Sequence, residues 1–226
     1  MSNLRVIEIK ESVFKENEVH ADELRKELKN KKTFLLNVMA SPGAGKTTTL
    51  VNIINKMKSK YKIAVMEADI DSLVDAKKII EETGVEAVQI HTGGMCHLDA
   101  TMTKEGLKGL KDNDYDLVIL ENVGNLVCPA EFDTGAVMSM NILSVPEGDD
   151  KPLKYPLMFQ VCNLVVINKV DVMPYFNFSL EKVKENIKFR NPNAEIIPIS
   201  ALKDENVDLV VEYLETQMKN WRDYCA

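Results

Sequence analysis

No apolar run in this 226-residue chain approaches the roughly 18 residues that a membrane-spanning helix needs. The opening stretch, MSNLRVIEIKESVFKENEV, lacks the apolar centre of a secretory signal. These two absences lead to the expectation of a soluble, cytoplasmic protein with no membrane partner. Positive charge is in deficit, with 28 basic residues against 35 acidic ones and a net charge of −7. That argues against non-specific nucleic-acid binding, which draws on a positive field. It leaves phosphate ligands open, because a single loop can bind phosphate whatever the overall charge. Cysteine is scarce: Cys96, Cys128, Cys162 and Cys225 are the only four. In a reducing compartment such cysteines are more readily metal ligands, core residues or bystanders than disulfides. Repeats and low-complexity segments are missing as well. The remainder, 45% hydrophobic and 28% charged, is the composition of a globular protein able to bury a sizeable core.

What is present is a β–α alternation. Residues 1–32 divide into a short extended start, Leu4–Lys10, and a helix-like stretch at about Glu16–Lys31 whose apolar positions are Leu24 and Leu28. They are expected to form an N-terminal extension with a peripheral helix, followed by one domain over 33–226. From Thr33 onward, seven short β-rich runs appear at 33–39, 62–68, 86–90, 117–122, 141–145, 163–168 and 194–200. Most are continuously apolar, as strands buried on both faces are. Helical patterns fall between several of them, at Thr47–Lys58, Asp71–Glu82, Asp99–Leu110, Leu180–Arg190 and Asn206–Trp221. The expected fold is α/β, a P-loop NTPase with a doubly wound, mostly parallel sheet flanked by helices. Ligands of such sheets bind beyond the C-terminal strand ends.

The first strand is followed by Ala40-Ser-Pro-Gly-Ala-Gly-Lys46-Thr47, the P-loop pattern with Ala at its first glycine. Gly43, Ala44 and Gly45 can turn their N–H groups toward a phosphate at the positive end of the helix that follows. Lys46 can reach the β- and γ-phosphates, and Thr47, with Thr48 beside it, can offer a hydroxyl to Mg²⁺. After the run at 163–168 comes Asn168-Lys169-Val-Asp171, the guanine-reading motif of GTPases. A carboxylate at Asp171 can accept from guanine N1–H and the 2-amino group, whereas adenine would leave it unpaired. Ser200-Ala201 resembles the last GTPase element, which contacts guanine O6. Glu121-Asn-Val-Gly124 stands where GTPases carry Asp-x-x-Gly. Glu121 is a candidate Mg²⁺ ligand, and the Gly124 N–H is a candidate sensor of the γ-phosphate. Asp69, Asp71 and Asp75 follow the second strand, where a carboxylate can sit beside Mg²⁺ or simply cap a helix; Asp69 is the strongest candidate of the three. The arginines, Arg5, Arg25, Arg190 and Arg222, lie outside the nucleotide loops, so intrinsic turnover of GTP is expected to be slow.

Cys96 and His97 are adjacent in HTGGMCHLDA, and Cys128 lies in GNLVCPAEF. Both loops follow strands and so lie on the nucleotide side. Two thiolates and an imidazole suit a soft-to-borderline metal ion. The alternative is that the cysteines pack and His97 caps the helix that opens at Asp99. Cys162 sits in an apolar run and is expected in the core, and Cys225 is terminal.

Taken together, SPGAGKTT (41–48), EADIDSLVDA (67–76), TGGMCHLDA (92–100), ENVGNLVCP (121–129), SVPEGDDKPLKYPLMF (144–159) and NKVD (168–171) resemble the hydrogenase-maturation GTPases of the HypB family, which are P-loop GTPases of the SIMIBI type. The resemblance runs from Thr33 to about Ala201. It implies a homodimer that hydrolyses GTP with Mg²⁺ and delivers nickel to the large subunit of nickel–iron hydrogenase alongside another nickel-delivery accessory protein. It also implies Cys96, His97 and Cys128 as ligands for nickel or zinc. Some members carry Cys-rich or His-rich nickel stores at the N-terminus; here residues 1–40 hold no Cys and only His20, so no such store is expected. The family's Gly-Asp is Ala68-Asp69 here. The related urease nickel GTPases place Cys and His around Cys-Pro-His, whereas here Cys-Pro and Cys-His are separate. A GTP-gated scaffold with structural cysteines is the rival of another class. The segment Lys151–Lys154 is a candidate for reaching across a dimer interface.

Overall fold

A computed structural model describes residues 9–69, 74–112 and 114–224. Within it, β1 (Phe34–Ala40), β2 (Ile63–Asp69), β3 (Glu86–His91), β4 (Leu117–Glu121), β5 (Met138–Ser144), β6 (Leu164–Asn168) and β7 (Glu195–Pro198) form one sheet in the order β3-β2-β4-β1-β5-β6-β7. Every neighbouring pair is parallel. β1, β4 and β6 are buried at every residue, which is why they read as unbroken apolar runs.

Alternate residues of each strand feed opposite layers. Leu36, Val38 and Ala40 of β1, with Val65 and Ile119, meet Leu50, Ile53 and Ile54 of α2 (Lys46–Met57) and Leu214 of α9 (Val207–Tyr224). On the other face, Leu24 and Leu28 of α1 (Ile9–Lys31) cover Leu35, Val118 and Leu120. Further along that face, Phe159 of α7 (Pro156–Val161) joins Val183 and Ile187 of α8 (Leu180–Arg190) on Leu143, Val165 and Ile167. The remaining α-helices are α3 (Val74–Thr83), α4 (Ala100–Lys108), α5 (Cys128–Glu131) and α6 (Lys151–Lys154). The chain leaves β1 to build β2 and β3 on one side, then crosses from β4 to build β5, β6 and β7 on the other. Loops diverge above the centre of the sheet, and that opening is where a ligand fits.

Several expectations need correction. Ile9 and Lys10 belong to α1 and are not extended; Leu4–Glu8 lies outside the described residues. β5 begins at Met138 rather than Asn141, because pairing with β1 starts at Leu36↔Met138. α3 starts at Val74; 70–73, and so Asp71, lie outside the described residues. Cys225 lies outside them too. The 3-10 turns Val145–Glu147 and Val170–Tyr175 were not anticipated, nor were three short α-helices. Pro129, Pro152 and Pro156 each stand in the first turn of theirs, where a missing N–H costs nothing.

Candidate nucleotide and metal site

The P-loop spans the end of β1 and the start of α2. Gly43 and Gly45 both adopt left-handed backbone, at φ 76° and 95°. At Gly45 a side chain is also sterically barred, since a Cβ there would lie 2.5 Å from Asn168 Nδ2. That closeness reflects a lock between the two nucleotide loops. Asn168 Nδ2 donates to the Ala44 carbonyl (2.9 Å), and Lys169 Nζ donates to the Gly43 carbonyl (2.6 Å). Asn168 Oδ1 accepts from the N–H of Lys169 (2.7 Å) and of Ala201 (3.1 Å). The amide expected at guanine O6 is thus engaged by Asn168. Asn52 of α2 donates to the Ala201 carbonyl (2.6 Å), and Ser200 Oγ donates to Asp171 Oδ1 (2.7 Å). Sequence elements 124 and 126 residues apart therefore form one cradle, held chiefly by side chains acting on backbone carbonyls.

Above the P-loop lies a cleft of about 490 Å³, lined by Lys46, Thr47, Thr48, Asp75, Glu121 and Gly124 among others. Thr47 Oγ1 donates to Asp75 Oδ1 at 2.9 Å, which fixes α3 against the P-loop. Glu121 is buried at the end of β4. Thr47, Asp75 and Glu121 supply the hard oxygen donors that Mg²⁺ selects, so this donor set fits that ion. Asp69 ends β2, but its side chain is outside what is described. Gly124 lies against the P-loop; a Cβ on it would be 3.5 Å from Lys46 Nζ. Lys78, one turn beyond Asp75 on α3, also lines the cleft. Sequence reading missed it, because a lysine on an amphipathic helix reads as a solvated face.

The metal candidates gather at the same edge. Cys96 Sγ lies 4.0 Å from His97 Nδ1 and within hydrogen-bonding reach of the Cys128 thiol. That contact, reinforced by burial, raises Cys128 above the ordinary thiol range, so metal must displace a proton there. His97 is not a helix cap: the Asp99 carboxylate caps α4, accepting from Met102 N–H at 2.8 Å. The His97 ring instead stacks on Phe132, centroids 3.7 Å apart and planes 12° apart. Burial lowers the imidazole pKa, opposed by the charges of Asp99 and Glu131, and so favours the neutral, ligating form. Among the described residues, no three His, Cys, Asp or Glu side chains are already gathered around a metal-sized space. Cys162 is fully buried, and burial pushes its thiol pKa upward. Among the described residues no helix is long and apolar enough to cross a membrane.

Comparison with known proteins bears on the fold and the family. The profile of the CobW/HypB/UreG nucleotide-binding domain matches residues 34–198. The hydrogenase maturation factor HypB of Escherichia coli is 43% identical over 217 residues, spanning 96% of this chain and 74% of its own. The hydrogenase/urease maturation factor HypB of Helicobacter pylori is 38% identical over 221 residues, spanning 96% of this chain and 90% of its own. The crystal structure of HypB from Helicobacter pylori in complex with nickel superposes with a TM-score of 0.85 at 39% identity, over 91% of this chain and 97% of that one. HypB from Archaeoglobus fulgidus superposes with a TM-score of 0.83 at 35% identity, over 90% and 99%.

Proposed function

Since this chain belongs to the HypB family within the CobW/HypB/UreG nucleotide-binding proteins, we propose that it is a GTP-hydrolysing nickel metallochaperone serving nickel–iron hydrogenase. The observation that carries this reading is the lock of Asn168 and Lys169 onto the Ala44 and Gly43 carbonyls. It sets a guanine-specific carboxylate, Asp171, at a fixed distance from the phosphate loop. GTP hydrolysis is attack of water on the γ-phosphorus, with cleavage of the bond to the β-phosphate oxygen and release of inorganic phosphate. In this reading the P-loop amides and Lys46 hold the phosphates, and Thr47, Asp75, Glu121 and Asp69 are the candidate Mg²⁺ ligands. When bound, Mg²⁺ neutralises charge on the β- and γ-oxygens. Gly124 reports on the γ-phosphate through its N–H.

Nickel is the cargo, taken by Cys96, His97 and Cys128, a set that zinc also suits. Glu121 and Cys128 are seven residues apart on one loop. A γ-phosphate drawing in Asn122–Gly124 therefore acts on Cys128 through a short connection. Three ligands per chain leave coordination for a second copy to complete. GTP-gated homodimerisation, with release of metal after hydrolysis to the hydrogenase large subunit or a second accessory protein, follows from that, and the short helix Lys151–Lys154 is a candidate contact across the interface. The Helicobacter pylori relative named for both hydrogenase and urease maturation supports urease as a second recipient. The test is phosphate release from GTP by wild type and Lys46→Ala. Since this catalysis is largely charge neutralisation, the variant should lose at least on the order of a hundredfold in kcat. Unchanged turnover would overturn the site.

A further inference from the structure

The N-terminal helix reaches both metal-bearing loops. Phe14, Asn17, Ala21, Leu24 and Leu28 follow the spacing of one helix face, and Ala21, Leu24 and Leu28 are buried on the domain. Asn17, on the same face, is a polar residue only 7% exposed, and both ends of its amide are used. Its Oδ1 accepts from the N–H of Ala100, at 3.0 Å, three residues beyond His97. Its Nδ2 donates to the carbonyl of Asp133, at 2.9 Å, five residues beyond Cys128. Arg25 adds to the second anchor: Nε donates to the Ala136 carbonyl (3.0 Å), and its guanidinium pairs with Asp133 at 2.5 Å. The Phe14 ring packs on Phe132 at 5.0 Å, and Phe132 is the ring on which His97 stacks.

A single buried amide thus joins the loop carrying Cys96 and His97 to the loop carrying Cys128. A polar side chain held out of water with both halves satisfied has few alternative arrangements, because any shift leaves a buried donor or acceptor unpaired. We propose that α1 is a clamp on the metal site, and that Asn17 is the positioning residue that sets the separation of Cys96 and His97 from Cys128. Asn17 touches no metal. It acts on the ligands through the backbone, its hydrogen bonds landing three residues beyond His97 and five beyond Cys128, so its loss is expected at the lower end of the about 10- to 100-fold that losing a ligand's own hydrogen-bonding partner costs.

The inference rests on reading Cys96, His97 and Cys128 as the nickel ligands, so the experiment carries a control for that reading. Ni²⁺ alone is titrated into wild type, Asn17→Ala and Cys96→Ala, following the thiolate-to-nickel charge-transfer absorption, with affinity for a fluorescent GDP analogue measured on the same samples. For Asn17→Ala the expected result is a loss of at least about tenfold in nickel affinity and a shifted absorption band, with GDP affinity within twofold of wild type. Nickel affinity and spectrum equal to wild type would overturn the clamp. Cys96→Ala binding nickel like wild type would instead overturn the ligand assignment. Where Asn17→Ala does not fold, Asn17→Asp is measured in the same way. It keeps the acceptor for Ala100 and loses the donor to Asp133, so it should show the same loss, and wild-type behaviour in it would equally overturn the proposal.

Discussion

The nucleotide half and the metal half of this molecule sit on the same edge of one sheet, yet they are built to different degrees of completion. In the nucleotide half, the P-loop carbonyls of Gly43 and Ala44 are held by Lys169 and Asn168, and Asp171 is held by Ser200. The Gly45 backbone is pressed so close to Asn168 that no side chain fits. In the metal half, Cys96 meets Cys128 and lies near His97, but the three are not closed around an ion. Under the proposed function the contrast has a physical reason. A cradle that must discriminate guanine from adenine gains from being assembled beforehand. A site that must surrender its cargo gains from being incomplete in a single chain.

Asp171→Asn replaces an acceptor of two hydrogen bonds with a mixed donor and acceptor. At the magnitude of hydrogen bonds to a charged group, GTP affinity should fall on the order of a hundredfold or more, with preference moving toward xanthosine triphosphate. Nickel affinity of the isolated chain should stay within about twofold, because Asp171 is held by Ser200 rather than by a metal-bearing loop. Competition binding with both nucleotides, beside a nickel titration, checks it; unchanged GTP preference would sink the guanine assignment. A smaller effect sharpens the picture of the cleft. Lys78→Ala removes a half-exposed cation from the phosphate cleft, where solvent screens it. Turnover should fall about tenfold or less with GDP affinity nearly unchanged, and Lys78→Arg should restore it. Single-turnover hydrolysis distinguishes this from a helix that is merely destabilised.

How far the sequence alone reaches follows the same division. Strands β1, β4 and β6 were visible because a strand buried on both faces needs apolar residues at nearly every position, and the motifs were visible because phosphate and guanine chemistry demand particular residues next to strand ends. Helix α8 matched at both ends, since Ser179 caps it, accepting from Lys182 N–H, and an Asn-Pro sequence follows its last residue. The Asn17 clamp was invisible. Its two anchors lie 83 and 116 residues away, and an Asn on a charged helix looks like any solvated position. The stacking of His97 on Phe132 has the same character, because only the tertiary fold brings those loops together. β5 was read three residues short because Met138, Ser139 and Met140 have little strand preference of their own; pairing with β1 decides their conformation.

The central claim is that GTP couples the two halves by closing the metal site between two copies of the chain. To swing such an equilibrium from mostly open to mostly closed, GTP must favour the closed form about 10⁴-fold, or roughly 5.5 kcal/mol. The direct measurement is mass by light scattering, with nickel affinity followed in parallel, for the protein loaded with Mg²⁺ and either GDP or a non-hydrolysable GTP analogue. The account predicts a monomer with weak nickel binding in GDP, and a dimer in the analogue whose tighter nickel binding is lost in the Cys96→Ala, Cys128→Ala double variant. Equal mass and equal nickel affinity in the two nucleotide states would contradict it.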